Sequence, residues 1–118
     1  MIAAAAQTTS QQNVQITKGP VVEFANDNSA VIAWSTNVQG STVLKYGTDP
    51  NNLTQTAEAR WGGTTHRVNL KNLQPNTTYY FQVESAQGQG TGTGALGKVD
   101  SFQTTAPGAQ PKHYPPLK

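Results

Sequence analysis

The sequence contains no cysteine, and only 12% of its 118 residues are charged, which is about half the share of an ordinary soluble domain. Without cysteine it can hold no disulfide, no cysteine-ligated zinc and no thiol nucleophile. The net charge is +2 and the eight Lys and Arg residues are scattered, unlike the clustered basic surface of a nucleic-acid-binding domain. We therefore expect no nucleic-acid partner.

Long hydrophobic runs and helical periodicity are missing as well. No apolar run approaches the roughly 18 residues that a membrane-spanning helix needs, so we expect no membrane span. The hydrophobic residues, 35% of the total, instead lie in short alternating runs with turn signals about every 8–12 residues. This pattern is typical of an all-β sandwich or barrel.

Both ends of the chain differ in composition from its middle. Residues 1–13 are of low complexity and are interpreted either as a flexible tail or as the remnant of a secretion signal, since the alanine run suits a small-residue cleavage site. Residues 107–118 hold four of the seven prolines, which predicts an extended C-terminal tail or linker. One domain is expected between them, over residues 14–106.

Alternation along the predicted strands indicates which side chains face the core. Ile32 and Trp34 share one face of a strand, as do Phe81 and Val83 of a later one. Residues 88–97 contain five glycines and are predicted to form a mobile loop before the last strand. The side chains expected to point inward are Ile16, Val22, Phe24, Ile32, Trp34, Leu44, Tyr46, Val68, Leu70, Leu73, Tyr79, Phe81, Val83 and Phe102.

The pattern Leu-x-Pro-x-Thr-x-Tyr begins at Leu73 and is followed by alternating apolar residues. It resembles the corner at which a fibronectin type III domain crosses between its two sheets. The resemblance implies that Leu73 fills the core, that Pro75 fixes the turn, and that the Tyr79 hydroxyl bonds to the backbone just upstream, a tyrosine corner. The implied fold is an all-β, immunoglobulin-like sandwich of two sheets and about seven strands.

Within that family, residues 14–105 resemble the N-terminal fibronectin-like domain of purple acid phosphatases. The residues that carry the similarity are Ala33-Trp34-Ser35-Thr36, Val43-x-x-Tyr46-Gly47-Thr48, Thr65-His66-Arg67-Val68-x-Leu70, Leu73 to Tyr80 and Ser101-Phe102-x-Thr104. The resemblance implies a spacer, a binding module or an accessory domain. The metal-binding phosphatase domain is not part of this sequence.

The sequence offers few groups for catalysis. His66 opens a strand and is expected at the surface or a sheet edge, and His113 lies in the proline-rich tail. Zinc and iron sites need three or four donors, and no second His or Asp follows His66 at metal-ligand spacing. We therefore assign no catalytic, metal-binding or cofactor-binding residue, and expect no enzyme activity.

A few residues are candidates for contact with a partner. Trp61 could stack on a protein or a sugar, or pack over the sheet edge beside Arg60; nothing else in the sequence supports carbohydrate binding. The glycine-rich loop would place its polar side chains at one end of the sandwich, where related domains carry recognition residues. These loop residues are Gln89, Thr91 and Thr93.

Three functions remain open on these grounds. The first is a non-catalytic extracellular or secreted module, a spacer, adhesion or protein-interaction domain on a bacterial surface. The second is a structural subunit of a surface filament, in which the segment containing Val14 and Ile16 adds as a strand to a neighbouring copy. The third is an accessory domain of a phosphatase. The expected partners are therefore other proteins or copies of the same chain.

Overall fold

Two antiparallel β-sheets pack face to face in the computed structural model, which describes residues 14–60, 62–87 and 94–117. One sheet has the strand order β5-β2-β1-β9, and the other has the order β4-β3-β6, with β7 and β8 both paired to β6. The strands are β1 Ile16–Ala25, β2 Ala30–Thr36, β3 Thr42–Gly47, β4 Gln55–Ala59, β5 Thr65–Leu70, β6 Thr78–Ser85, β7 Ala95–Leu96, β8 Asp100–Gln103 and β9 Lys112–His113.

The core lies between the sheets and follows the predicted alternation. In β6 every second side chain from Tyr79 to Ser85 is buried, because successive residues of a strand point to opposite faces. In β2, Ile32 and Trp34 are fully buried. The buried cluster consists of Ala25, Ala30, Ile32, Trp34, Leu44, Val68, Leu70, Leu73, Tyr79, Phe81, Val83 and Phe102, with Ile16, Val22, Tyr46 and Ala57 packed against it.

Phe24 does not face the core, and its prediction was wrong. Val22 pairs with Ile32, but Phe24, two residues further along β1, pairs with Val31, only one residue away from Ile32. β1 therefore has a bulge between Val22 and Phe24. A bulge inserts one extra residue and reverses the alternation beyond it. Ala25 is therefore completely buried, and the Phe24 ring packs edge-on against His113 with centroids 5.1 Å apart.

The chain crosses between the sheets at residues 73–79, where the resemblance placed a tyrosine corner. Leu73 and Tyr79 are buried, and the Tyr79 hydroxyl accepts a hydrogen bond of 2.8 Å from the backbone amide of Gln74. Thr104 closes the corner, since its hydroxyl accepts from the Thr77 amide at 2.9 Å. These bonds satisfy polar groups that the crossing would otherwise bury unpaired.

The proline-rich tail contributes a strand of its own. In β9, Lys112 pairs with Ala25 and His113 pairs with Phe24, and the Tyr114 amide donates to the Glu23 carbonyl at 3.1 Å. A linker interpretation did not predict this pairing. The pairing of β9 with β1 covers the last part of the outer edge of β1, where free backbone groups would otherwise face solvent.

Candidate interaction surface

An open groove of about 740 Å³ lies between the beginning of β1 and the chain around β7 and β8. Val14, Ile16 and Pro20 line one side, and residues 95–100 line the other. The two sides belong to different sheets, so the groove opens along one flank of the sandwich. Pockets that bind ligands or peptides are commonly concave and apolar, with a few polar groups at the rim.

Two of the large apolar side chains that line this groove are exposed to solvent. Leu96 is 62% exposed and Val99 is 43% exposed. Among the described residues, the only other large hydrophobic side chain with comparable exposure is Tyr114. Adjacent exposed apolar side chains on a soluble domain mark contact surfaces more often than isolated ones do.

Gly97 lies in the short connection between β7 and β8 and sets the path of the chain there. Its amide donates to the Val83 carbonyl at 2.9 Å, and its carbonyl accepts from the Gln82 side chain at 2.8 Å. A Cβ at this position would lie 3.1 Å from a methyl carbon of Val83. Glycine therefore allows the chain to cross close over β6 between β7 and β8.

The outer side of β7 and β8 is a free sheet edge within the described residues, where only β6 pairs with these strands. An edge strand presents backbone N–H and C=O groups that can pair with another strand. The exposed side chains Lys98 and Asp100 flank Val99 and carry opposite charges. The edge is thus close to neutral and combines backbone pairing groups with an apolar rim.

Val14 and Ile16, predicted as a strand-exchange segment, are built into their own sandwich. Val14 is 3% exposed, and Ile16 is the first residue of β1 and pairs with Thr36. The Gln15 amide donates to the side-chain oxygen of Asn37 at 2.7 Å. Both residues line the groove instead of projecting from the molecule, so their exchange would first require β1 to open.

Arg60, another predicted contact residue, is not among the residues that line this groove. Arg60 follows β4 and is exposed, and its carbonyl accepts from the Thr42 hydroxyl at 3.2 Å. The remaining ones, Trp61, Gln89, Thr91 and Thr93, lie outside the described residues. Within the predicted loop at residues 88–97, Ala95 and Leu96 pair with β6 as β7, and residues 88–93 lie outside the described residues.

His66 lies on β5, an outer strand of its sheet, but its side chain is not at the surface, and that part of the expectation was wrong. Its side chain is 1% exposed and points between the sheets. One ring nitrogen, Nε2, lies 2.9 Å from the Thr36 hydroxyl, and Nδ1 lies 2.7 Å from the Thr42 hydroxyl. Alternation with Val68 and Leu70 places His66 on the core face. Its partners could not be read from the sequence, because they come from β2 and β3 whereas His66 belongs to β5.

Burial favours the neutral form of the His66 ring. The Thr36 hydroxyl donates to the Val38 carbonyl at 2.8 Å, so it accepts from Nε2–H. A neutral imidazole has one N–H, so in that form Nδ1 accepts from the Thr42 hydroxyl at 2.7 Å. The single hydroxyl hydrogen of Thr42 then points to Nδ1 and not to the more distant Arg60 carbonyl at 3.2 Å. Burial lowers the pKa of His66 below its usual 6.5, because desolvation disfavours the charged ring. The ring is enclosed and has a structural role.

Glu23 joins three parts of the chain outside the core. Its carboxylate accepts two bonds from the Arg67 guanidinium, at 2.7 Å and 3.0 Å, and one from the Leu117 amide at 2.8 Å. The hydrogen bond from Arg67 is the main reason that the pKa of Glu23 is lowered. This pair connects β1 to β5 and also holds the C-terminal tail.

The described residues contain no group of three or more His, Asp or Glu side chains that could hold a metal ion. Nor does this part of the chain include a helix with the length and apolar character needed to cross a membrane.

A family model of the purple acid phosphatase N-terminal domain matches residues 6–104. The chain belongs to this family. The match confirms the resemblance drawn from the Trp34, His66 and Tyr79 motifs. No curated protein sequence matches the chain.

Solved structures similar to this purple acid phosphatase N-terminal domain confirm the fold. The sensor domain of the anti-sigma factor RsgI4 from Pseudobacteroides cellulosolvens aligns with a TM-score of 0.59 at 17% identity, over 84% of this chain and 79% of that one. A fibronectin type III domain of the human KIAA0970 protein aligns with a TM-score of 0.57 at 13% identity, over 92% and 84%. The domain is thus a fibronectin type III-like sandwich.

Sequence reasoning missed Leu96 and Val99 as surface residues. Leu96 was assigned to the glycine-rich loop, and Val99 was given no surface role. A signal was available, since Leu96 is the one large apolar residue between Ala86 and Lys98 in a run dominated by glycine and polar residues. An apolar residue isolated in such a run has no core neighbour in sequence.

Proposed function

We propose that this domain is a non-catalytic module that acts outside the cell by contacting other proteins, as a spacer, adhesion or protein-interaction domain. The observation that carries the proposal is the groove at β7 and β8, where Leu96 and Val99 project beside a free strand edge. The described groups with displaced pKa values, Glu23, His66 and Arg67, are all engaged in holding the fold.

Two measurements test this proposal. A photo-crosslinking residue placed at Leu96, with exposed Thr56 on β4 as the matched control position, should give a defined protein adduct in source cells only from position 96. Equal labelling from both positions would contradict a specific contact. Protease treatment of intact source cells should remove the domain, and complete protection would refute its extracellular location.

The non-catalytic assignment has its own test. Hydrolysis of p-nitrophenyl phosphate should stay at the level of the buffer blank after chelation, repurification and addition of iron or zinc. Turnover that persists through repurification and scales with protein concentration would overturn it.

A second function, self-assembly into a surface filament, is favoured by the position of Val14. This residue lines the groove, so the chain before it is joined to the domain beside a free strand edge. A third, accessory function within a phosphatase is supported by the family match. A two-metal phosphatase domain encoded downstream in the parent gene would favour the third function.

A further inference from the structure

We propose that the groove along β7 and β8 binds the N-terminal segment, residues 1–13, of a second copy of this chain. The segment would pair with the free edge at residues 95–100 and join copies head to tail. This inference rests on the self-assembly function, because it names the two surfaces that would meet.

The relative directions of the strands favour a second copy over the same copy. The Trp34 indole near the end of β2 donates to the Ser85 hydroxyl at the end of β6 at 2.9 Å, so β2 and β6 run the same way. Because β1 is antiparallel to β2 and β7 and β8 are antiparallel to β6, β1 runs parallel to β7 and β8. A chain followed backwards through Val14 therefore moves away from its own groove.

A return to the same groove would need a reversal just before Val14. The first glycine of the sequence is Gly19 and the first proline is Pro20. Of the other residues common in turns, only Ser10 and Asn13 precede Val14. Residues 1–13 are compatible with strand pairing along their whole length, since neither glycine nor proline interrupts them. Continuing past the body, such a segment reaches a neighbouring molecule.

The chemistry of the segment fits the groove. Lys18 is the first residue with a charged side chain, so no side-chain charge would be desolvated when residues 1–13 lie against the apolar rim. Alternation places Ile2, Ala4 and Ala6 on one face, and small side chains leave room for Leu96 and Val99. Strand addition of this kind takes its affinity from backbone bonds and its specificity from alternate side chains.

The length of the N-terminal segment also agrees with the length of the groove. The groove follows six residues of chain, 95–100, which is about 20 Å of strand at roughly 3.3 Å per residue. A segment of thirteen residues extends about 43 Å, enough to cover the groove and still bridge from one body to the next. Each copy would then give one segment and receive one, a contact that generates an open filament when rotation does not close it.

Complementation between two variants tests this inference. One variant lacks residues 1–13 and keeps the groove; the other carries Leu96→Lys and Val99→Lys and keeps the segment. Each alone should be monomeric by multi-angle light scattering, and their mixture should form a one-to-one heterodimer. A variant with Thr56→Lys and Asn69→Lys adds the same charge on exposed β4 and β5 and should polymerise like the unmodified chain.

The outcomes separate the inference from the function on which it rests. If the unmodified chain polymerises but the two variants do not complement each other, self-assembly stands and this pair of surfaces is wrong. If the unmodified chain is monomeric, both fail. As a check that does not depend on polymerisation, a fluorescent peptide of residues 1–13 should bind the truncated chain, whereas a scrambled peptide should not; equal binding of both would overturn the inference.

Discussion

The imidazole of His66 lies against the indole of Trp34, with ring centroids 5.4 Å apart and planes inclined by 24°. The two residues are opposite each other in the register of β2 and β5, and both reach across to the other sheet. Trp34 bonds to Ser85 on β6, and His66 bonds to Thr42 on β3. These buried polar contacts fix how the two sheets are placed.

The stability of the domain should fall when His66 becomes protonated. The pKa of His66 is lowered in the folded chain relative to 6.5, so the stabilisation is fully present above pH 6.5 and is lost as the pH falls through the lower folded value. Urea unfolding between pH 8 and 5 should show this loss, and His66→Gln should remove most of it. His113→Gln is the control and should keep it; an unchanged slope in His66→Gln would contradict the assignment.

Ser85→Ala should cost about 1–3 kcal/mol of unfolding free energy, because it leaves the Trp34 indole N–H buried without a partner. The unfolding free energy is measured by chemical denaturation, with the fluorescence of Trp34 and Trp61 as the signal. Ser101→Ala, on the exposed side of β8, is the matched control and should change stability by less than about 0.5 kcal/mol. Equal effects of the two substitutions would refute a role for the Trp34–Ser85 bond.

Tyr79→Phe removes only the hydroxyl that accepts from the Gln74 amide. We expect a loss of about 1–2 kcal/mol, since the ring still fills the core but a backbone donor loses its partner. Both Tyr79→Phe and the control Tyr80→Phe are measured by thermal unfolding. Tyr80→Phe alters the neighbouring, half-buried side chain and should have the smaller effect on stability. A larger loss in Tyr80→Phe would contradict the tyrosine corner as the main polar contact here.

Much of the fold could be predicted from sequence because it depends on local alternation and one motif. Ile32, Trp34 and Phe81 were placed correctly by period alone, and Tyr79 by its motif. Phe24 was misplaced because a bulge changes the alternation without leaving a mark in composition. The pairing of Lys112 and His113 with β1 was missed because it depends on an edge brought close only by the fold.

The candidate surface was harder to predict than the core. Val14 was singled out before the structure, but as a segment to be exchanged, whereas it is buried at the groove. Leu96 and Val99 matter because the chain crosses β6 at Gly97 and leaves them beside a free edge. Such a surface is a property of the assembled sheets, and neither residue stands in a binding motif.

Glu23→Gln should release the C-terminal tail while leaving the domain folded. The carboxylate accepts from Arg67 and from the Leu117 amide, and an exposed ion pair of this kind contributes about 1 kcal/mol or less. Faster amide hydrogen exchange at Tyr114 and Leu117, with little change in melting temperature, is the expected result. Glu58→Gln on exposed β4 serves as the control, and unchanged exchange in Glu23→Gln would show that the tail is held by β9 pairing alone.

The hydrogen bond to Glu23 also gives an expectation for acid conditions. The pKa of Glu23 is lowered from 4.5, chiefly by Arg67, so its contribution is present above pH 4.5 and is lost as the pH falls through the lower folded value. Relative to an unstructured peptide, tail amide exchange should therefore accelerate only below pH 4.5, whereas the His66 effect begins near pH 6.5. A single transition common to both sites would contradict this separation.

Light scattering of the unmodified chain over a rising concentration series, with electron microscopy of the same samples, tests most directly whether copies of this domain assemble through contact at β7 and β8. The account predicts a mass that grows with concentration and filaments of one-sandwich width, both abolished by Leu96→Lys with Val99→Lys. A constant monomer mass at every concentration, or filaments that are unaffected by that double substitution, would contradict it.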